Sequence, residues 1–289
     1  MIYLINYADE NYQEAQHYCS QMARARGGFD KVIEYHPNDI DDAVINLCPE
    51  GIYGNNRKAK RYGLWRPYII KKTLDEIQYG DYLCYCDAGG YFIRNVAPLI
   101  KRMEKKNQDI RVSVLPLIEK QWTKRDIFLY FDADYPDVTD SNQICSTFIF
   151  IKKTKRSVAF FEQYFQISKD MPILFTDAEN VLGKDNYPEY IENRHNQSVL
   201  SILCKVHNIK PDTDISEYGL HQKLYSYTPG VIYKPCLPLR EFPYYISHRR
   251  PKVDLLVHIC NVLRIFLLTN IFMVILKSVL YLHERKKKQ

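Results

Sequence analysis

Residues 65–90, reading WRPYIIKKTLDEIQYGDYLCYCDAGG, constrain the fold more than any other stretch of the chain. Ile69, Ile70, Thr73, Leu74 and Ile77 recur at helical spacing, with Lys71, Lys72, Asp75 and Glu76 on the other side. Pro67 suits the first helical position, where its missing N–H is not needed. Gly80 breaks the pattern, and Tyr82–Cys86 follows as an apolar and aromatic run of strand length. The run stops at Asp87, followed by Ala88, Gly89 and Gly90. Open α/β sheets place ligands where a buried strand ends. A carboxylate at that point, beside glycines that let a ligand approach the backbone, marks Asp87 as the leading candidate site residue.

The chain before this stretch sets the fold class. Met1 leads directly into a strand-like run around Ile2–Leu4, and the spacing predicts a helix over Asp9–Ala25, ended by Gly27-Gly28. A second short strand, KVIEY, covers Lys31–Tyr35, and a short helix is expected over Asp39–Leu47. This β-α-β-α order favours an open sheet with helices on its faces. Further on, Val96–Lys105 and Ser157–Ile167 read as helices, and Ile110–Leu117 and Ser146–Lys152 as strands. Thr123-Lys124-Arg125-Asp126 has the form of a capping box ahead of a helix over Ile127–Phe131. The proline-rich run Pro229–Tyr245 is expected to lie extended along the surface.

With 289 residues, 46% apolar and 26% charged, the chain can bury a large core and is not disordered. Its net charge of +6 is too modest to argue for nucleic acid. The cations concentrate at Arg57, Lys58, Lys60 and Arg61, which taken alone read as a solvated face, and in the terminal HERKKKQ. The eight cysteines are scattered with no CxxC pair, which reads as free thiols in a reducing compartment. Cys84 and Cys86 share a strand face and are expected in the core rather than on a metal.

Two other places carry candidate chemistry. Asp132-Ala133-Asp134 has the spacing that many sugar-nucleotide enzymes use to hold a divalent cation. It falls at a helix end rather than after a strand, so Asp87 is preferred. Arg194, His195, Asn196, Gln197 and Ser198 open a helix with apolar positions Val199, Leu200, Ile202, Leu203 and Val206. Free N–H groups at such a start favour anionic or hydroxylated ligands; ordinary capping by Asn193 or Asn196 is the alternative.

Three segments together resemble a family of bacterial glycosyltransferase-like proteins of cell-surface polysaccharide clusters. They are the W-[KR]-P-Y…GD…Y-x-D-A-G pattern of Trp65–Gly89, the Trp122-Thr123-Lys124 triplet, and Arg194-His195-Asn196-Gln197-Ser198, like the family's R-H-D-Q-S. The likeness covers about residues 1–209. It implies a single α/β domain of the glycosyltransferase A type, nucleotide-diphospho-sugar transferase-like, with a mostly parallel mixed sheet over residues 1–250. It implies a hexosyltransferase-like enzyme that moves a sugar from a nucleotide-sugar to a hydroxyl of a glycan or lipid-linked acceptor. Asp87 would then sit where a DxD motif sits in related folds, as a ligand of Mn2+ or Mg2+, with Asn196 and Gln197 beside it as catalytic positions. The chain departs from the family at Gly89, where the second carboxylate would stand, and at Asn196, where the family has Asp. A neutral amide binds a sugar hydroxyl but cannot act as a general base.

Sugar transfer leaves a nucleoside diphosphate, so negative charge develops on phosphate and needs a cation. Candidates are Arg57, Lys60, Arg61, Arg66, Lys124 and Arg194. Base and ribose would lie near Tyr7 and Asp9, with Trp65, Ala88, Gly89 and His195 completing the donor side; Asp177 and Glu179 are candidate bases. Two other classes remain open: a non-catalytic binder of nucleotide-sugar or glycan, and a metal-dependent phosphotransferase or nuclease built on Asp87 with Asp132 and Asp134.

Residues 251–289 form a separate segment. Asp254, His258 and Asn261 make a polar stripe at helical spacing, and Ile265–Leu276 is apolar except for Thr269 and Asn270. At about 1.5 Å per residue this run spans roughly 18 Å, short of the ~30 Å hydrocarbon core. An in-plane amphipathic helix followed by Arg285, Lys286, Lys287 and Lys288 is expected to meet anionic headgroups. Packing against the domain or a second subunit, and a true span, are the alternatives. The expected location is cytoplasmic, on the inner face of the cell membrane through residues 253–289.

Overall fold

The computed structural model describes residues 1–46, 63–227, 229–237 and 245–248. Arg57, Lys58, Lys60 and Arg61, and the segment 251–289, lie outside the described residues. The chain opens with strand β1 (Ile2–Tyr7), helix α1 (Gln13–Met22), a π-helical turn (Ala23–Gly27), strand β2 (Lys31–Tyr35) and helix α2 (Asp42–Ile45). Helix α3 (Trp65–Glu76) leads into β3 (Tyr82–Cys86) and β4 (Gly90–Phe92), then α4 (Ala97–Lys105) and β5 (Ile110–Ile118). Three short helices follow, α5 (Glu119–Trp122), α6 (Arg125–Tyr130) and α7 (Pro136–Thr139), and then β6 (Asn142–Lys152) and α8 (Lys155–Asp170). The remaining named elements are α9 (Asn196–Val206), α10 (Glu217–Leu220) and β7 (Ile246–His248).

The five-stranded sheet has the order β2-β1-β3-β6-β5. β1 pairs in parallel with β2 and β3, while β6 is antiparallel to both β3 and β5. β6 alone is therefore reversed, and the sheet is mixed. Strand alternation sends side chains to opposite faces. Ile5, Leu83, Tyr85, Ile149 and Ile151 face the layer built from α3, α8 and α9. Leu4, Cys84, Cys86, Phe148 and Phe150 face α1 and α4. Both faces of β3 are thus covered, which is why YLCYC is a continuous apolar run rather than an alternating one. The six cysteines among the described residues are free thiols. Burial pushes the Cys84 thiol well above its usual pKa, and a hydrogen bond with Cys19 together with burial does the same for Cys86, so both are inert core groups rather than thiolates.

Several local expectations give way to tertiary contacts. α1 starts at Gln13, not Asp9, because the Asp9 carboxylate accepts the Asn11 N–H (3.0 Å) and its carbonyl accepts Tyr12 N–H (3.0 Å), closing a turn first. α3 starts at Trp65, two residues before Pro67. The Thr123–Asp126 capping box does not form. Thr123 donates to Glu119 (2.7 Å), and the Asp126 carboxylate instead holds the N–H groups of Val181 and Leu182 at 2.7 and 3.0 Å. The tail from Pro229 is extended along β5, with Lys234 N–H on the Pro116 carbonyl (3.0 Å), but it does not stay on the surface. Tyr245 and Ile246 are fully buried, and β7 closes a small two-stranded sheet with β4.

The Asp132–Asp134 pair follows the end of α6, as its sequence context implied. Asp134 receives Tyr187 (2.6 Å), Lys184 (2.9 Å) and Arg125 (3.2 Å). Burial alone would raise its pKa; these partners outweigh burial and hold the carboxyl below the ordinary carboxylate range. Asp134 thus ties the 184–187 loop to α6.

Candidate functional site

β1 runs to β2 on one side of the sheet and β3 lies on its other side, so the chain reverses its direction of winding between β1 and β3. The helices that make the two crossings, α1 and α3, lie on opposite faces. The carboxyl ends of two such strands splay to open a crevice. Ile5 lies opposite Tyr85, which carries Tyr7 level with Asp87 at that edge. The Asp87 N–H is tied to the Thr147 carbonyl of β6 (2.8 Å), and its carbonyl accepts Gly90 N–H (2.9 Å) in a tight turn.

Arg66, in the first turn of α3, organises the crevice. One terminal nitrogen donates to Asp87 Oδ1 at 2.7 Å, and the other donates to Ser146 Oγ and to Asn196 Oδ1. Tyr85 also donates its hydroxyl to Asp87 Oδ1, and the guanidinium lies 4.8 Å from the centre of the Tyr85 ring. Burial by itself would lower the Arg66 pKa, but the Asp87 charge together with Tyr85 and Tyr164 outweighs it and holds the cation firmly protonated. Burial raises the Tyr85 phenol well above its usual value, so it remains a donor. Asp87 Oδ2 has no hydrogen-bond partner among the described residues, and the side chain is 34% exposed. One oxygen is anchored and the other faces out.

Asn196 has a positioning role in this cluster. Besides accepting from Arg66, it gives its backbone carbonyl to the Tyr164 hydroxyl (2.8 Å). A Cβ on Gly63 would lie 2.1 Å from the Asn196 amide nitrogen, and Gly63 has a φ of +67°, so the residue facing that amide has to be glycine. With an amide at 196, one buried cation faces one carboxylate; an acid there would add a second negative charge to a desolvated cluster.

The start of α9 is strained. The Gln197 N–H bonds the Arg194 carbonyl (3.0 Å), and His195, the first central residue of that turn, has φ 54° and ψ −121°. This is the type II′ geometry that normally takes glycine. A non-glycine residue there costs of order 1–3 kcal/mol and clusters at functional sites. The His195 ring is 2.8 Å from Asp177 Oδ1, which ties the 177 loop to the helix start. Gln197 accepts the Ser146 N–H (3.1 Å) and donates to Gln143 (2.9 Å). No side chain caps the helix.

The remaining expected site residues fall as follows. Tyr7 and Trp65 stack at 4.0 Å and 20°, both half-buried, with the Trp65 indole N–H buried and unpartnered among the described residues. Burial, aided by Asp9, pushes the Tyr7 phenol up to about 12. Ala88 is buried and Gly89 half-exposed in the turn after Asp87. Arg194 is 42% exposed, pairs with Glu192 (3.0 Å) and lies 4.4 Å from the centre of the Trp122 ring. Lys124 stands apart. Its side chain is 1% exposed, its amine donates to the Glu179 carbonyl (3.0 Å) and lies 3.7 Å from Asp126, and burial pulls its pKa down although Asp126 opposes this. That charge is withdrawn into the fold and leaves the donor set. The Glu179 side chain makes none of these bonds; its backbone does.

The described residues do not make a protein-held metal centre. Among the described residues no group of three or more His, Cys, Asp or Glu converges. Among the described residues the donor set at the crevice is Asp87 alone, and a guanidinium already sits on its inner oxygen. A second cation on the same carboxylate would be repelled by the first.

Sequence reading missed Ser146, Tyr164, Tyr85 and Asp214. Ser146 and Tyr164 carry no local signal, since they reach the cluster only through packing. Tyr85 lay inside a recognised motif but read as a strand core position. Asp214 had a signal: Asp212-Thr213-Asp214 repeats the Asp-x-Asp spacing of residues 132–134. Asp212 pairs with Lys106 and Arg111, whereas Asp214 lines a cavity of ≈190 Å³ with Arg194, Gln197 and Thr147.

No protein-family model and no curated protein matches the sequence. Solved structures that overlap it include mouse xyloside xylosyltransferase 1 in its apo form, at 11% identity and a TM-score of 0.49, over 86% of this chain and 97% of that one. The bifunctional glycosyltransferase WbbM, also apo, overlaps at 9% identity and a TM-score of 0.37, over 58% of this chain and 34% of that one. A glycosyltransferase involved in glycosylation of the major capsid of PBCV-1 overlaps at 11% identity and 0.33, over 59% of this chain and 68% of that one. With TM-scores below 0.5, function has to be argued from the site's own geometry.

Proposed function

We propose that this chain is a glycosyltransferase of the A type, moving a sugar from a nucleotide-sugar to a hydroxyl of a glycan or lipid-linked acceptor. The observation that carries the proposal is Asp87. It is a carboxylate at the carboxyl end of β3, locked through one oxygen by Arg66 and Tyr85, with the other oxygen open toward the crevice. A rotationally fixed acceptor of this kind orients a hydroxylated ligand without paying ordering entropy at the moment of reaction. The stacked Tyr7 and Trp65 rings at the neighbouring strand end supply a flat apolar face of the kind that holds a base or ribose. Arg194 and the N-terminus of α9 supply positive potential on the side where a diphosphate leaving group develops charge. A divalent cation, if one takes part, would be carried mainly by the diphosphate and water.

A nucleotide-sugar panel offered to the full chain, with and without Mn2+, tests this by release of the nucleoside diphosphate. Release from at least one donor, accelerated by a glycan acceptor, is expected. Binding without release would make the chain a nucleotide-sugar binder, and no binding of any donor would sink the proposal.

The acceptor's setting enters as a second part of the proposal. Residues 253–289 would hold the protein on the inner face of the membrane, where lipid-linked glycans are extended. Co-sedimentation with anionic vesicles is expected to disappear when 253–289 are deleted; unchanged co-sedimentation would remove this part. Among the described residues, no helix is long and apolar enough to cross a membrane.

A further inference from the structure

The stretch Asn142–Ser146 of β6 lies beyond the last residue that the strand pairs with β3, Phe148. Its register against β5 also shifts, once between Arg111 and Ser113 and again between Val114 and Ile118. Such bulges leave strand groups outside the ladder. Side chains of α9 take them up. The Ser146 N–H donates to Gln197 Oε1 (3.1 Å), the Ile144 N–H donates to Ser201 Oγ (2.8 Å), and the Asn142 carbonyl accepts from Lys205 (2.9 Å). Residues 197, 201 and 205 are spaced four apart, so they line one face of the helix. They meet alternate residues of the strand, and this docks α9 along β6.

The centre of that seam is Glu119, in α5, whose side chain is fully buried. Its Oε1 accepts from Ser201 and Lys205, and its Oε2 accepts from Thr123 (2.7 Å) and Gln143 (3.5 Å). A carboxylate accepts only, whereas a carboxamide has one accepting and one donating end. The anion therefore dictates which way the amides beside it point. The Gln143 nitrogen faces Glu119, the Trp122 carbonyl (3.2 Å) and Thr123 Oγ1 (3.3 Å), all of them acceptors. A reversed Gln143 would set oxygen against oxygen at Glu119 and Trp122.

The sense passes along the chain. With its nitrogen committed, Gln143 turns Oε1 to the Gln197 nitrogen (2.9 Å). With its nitrogen committed in turn, Gln197 gives Oε1 to the Ser146 N–H. Ser146 Oγ accepts from Arg66, and Arg66 holds Asp87 at 2.7 Å. Glu119 and Gln143 are each 0% exposed, so water does not compete for these bonds. The route runs from a fully buried acid to the crevice through groups that each have one workable orientation.

We infer that Glu119 is a positioning residue for the crevice: it fixes the orientation of Gln143 and Gln197, and with them the place of the α9 start beside Ser146, Arg66 and Asp87. The inference rests on the transferase reading only for its effect on turnover. Gln197 is a position that the sequence resemblance marks as catalytic, and Glu119 acts on it through Gln143 without reaching a ligand.

The test uses the full chain and two variants that interrupt the route at different points. Glu119→Gln is made together with Lys205→Met, so that no lone charge stays buried. Gln143→Met cuts the route while keeping the Glu119–Lys205 pair. A third variant, Thr154→Ala, removes the N-cap of α8, where Thr154 accepts the Ser157 N–H (3.2 Å), and lowers the melting temperature by a few degrees without touching the route. Nucleoside diphosphate release from a nucleotide-sugar is followed well below the melting temperature of each. Both route variants are expected to lose about 10- to 100-fold in kcat, as misplacement at a distance does, with KM for the nucleotide-sugar within about threefold of the parent. Thr154→Ala is expected to keep kcat within about twofold. A readout that needs no turnover is the side-chain amide pair of Gln197 in 15N–1H spectra, which is expected to shift in both route variants and not in Thr154→Ala. Route variants with kcat within about threefold of the parent overturn the inference. So do unmoved Gln197 signals, or a loss of kcat in Thr154→Ala as large as theirs. A parent that releases no nucleoside diphosphate from any donor sinks the transferase reading; Gln197 signals that still shift in both route variants then support the positioning by themselves.

Discussion

Arg66→Met is expected to lower stability by about 3–5 kcal/mol, the usual cost of breaking a buried ion pair from one side, and to abolish nucleotide-sugar turnover. The side chain connects four partners: Asp87 on the β3 turn, Ser146 on β6, Asn196 on α9, and the Tyr85 ring beneath it. Methionine fills the space but supplies no donors. The Ser146, Asn196 and Asp87 oxygens each then lose a charge-assisted bond in a largely desolvated cluster, which is worse than never having had polar groups there. Arg66→Lys is expected to recover little, because an ammonium cannot present two planar nitrogens to oxygens on different elements. Thermal melting reads the stability: a fall on the order of 10 °C is expected for a chain of this size. A Met variant that melts within 2 °C of the parent would show that the cluster does not hold the strand ends together.

Asp87→Asn is expected to behave differently, with nucleoside diphosphate release falling about 100-fold and only a modest stability loss of about 1–2 kcal/mol. The amide keeps an oxygen for Arg66 and Tyr85, and the side chain is 34% exposed, so water softens the loss of charge on the structural side. In the proposed reaction the outward oxygen is the one that meets the ligand. Turning it into an amide removes a charge-assisted acceptor, or replaces it with a donor facing the ligand's own donors. Steady-state release assays on parent and variant measure this. Activity within threefold of the parent would place the chemistry elsewhere on the sheet edge.

The two variants separate what the site needs for folding from what it needs for chemistry. Arg66 is charged and buried, so its main duty is positional; Asp87 shares that duty through one oxygen and has the other available. The same division explains Asn196. Its oxygen faces the cation and its nitrogen faces Gly63, leaving it as a strut of the crevice rather than a base.

Much of this was legible in the linear chain. KVIEY and YLCYC are strands over the residues their patterns marked, Lys31–Tyr35 and Tyr82–Cys86: YLCYC is apolar throughout because it is buried on both faces, whereas KVIEY is the edge strand and keeps Lys31 exposed. Asp87 stood out because a charge that ends such a run has to sit at the sheet edge. Residues joined across the fold were not legible. Arg66 meets Asn196 across 130 positions and Ser146 across 80, and nothing near either end encodes the partner. Thr123–Asp126 shows the converse: the local motif is present, yet Glu119 and the 181–182 backbone compete for the same oxygens and win. Lys124 and Asp214 have opposite fates for the same reason, one cation turned inward onto Asp126 and one acid turned into a cavity. Periodicity along the chain determines which face of an element is buried, since that depends only on neighbours in sequence. Which charge faces which, and whether it faces a ligand or the interior, depends on the order of strands in the sheet, and that was decided only when β1, β3, β6 and β5 came side by side.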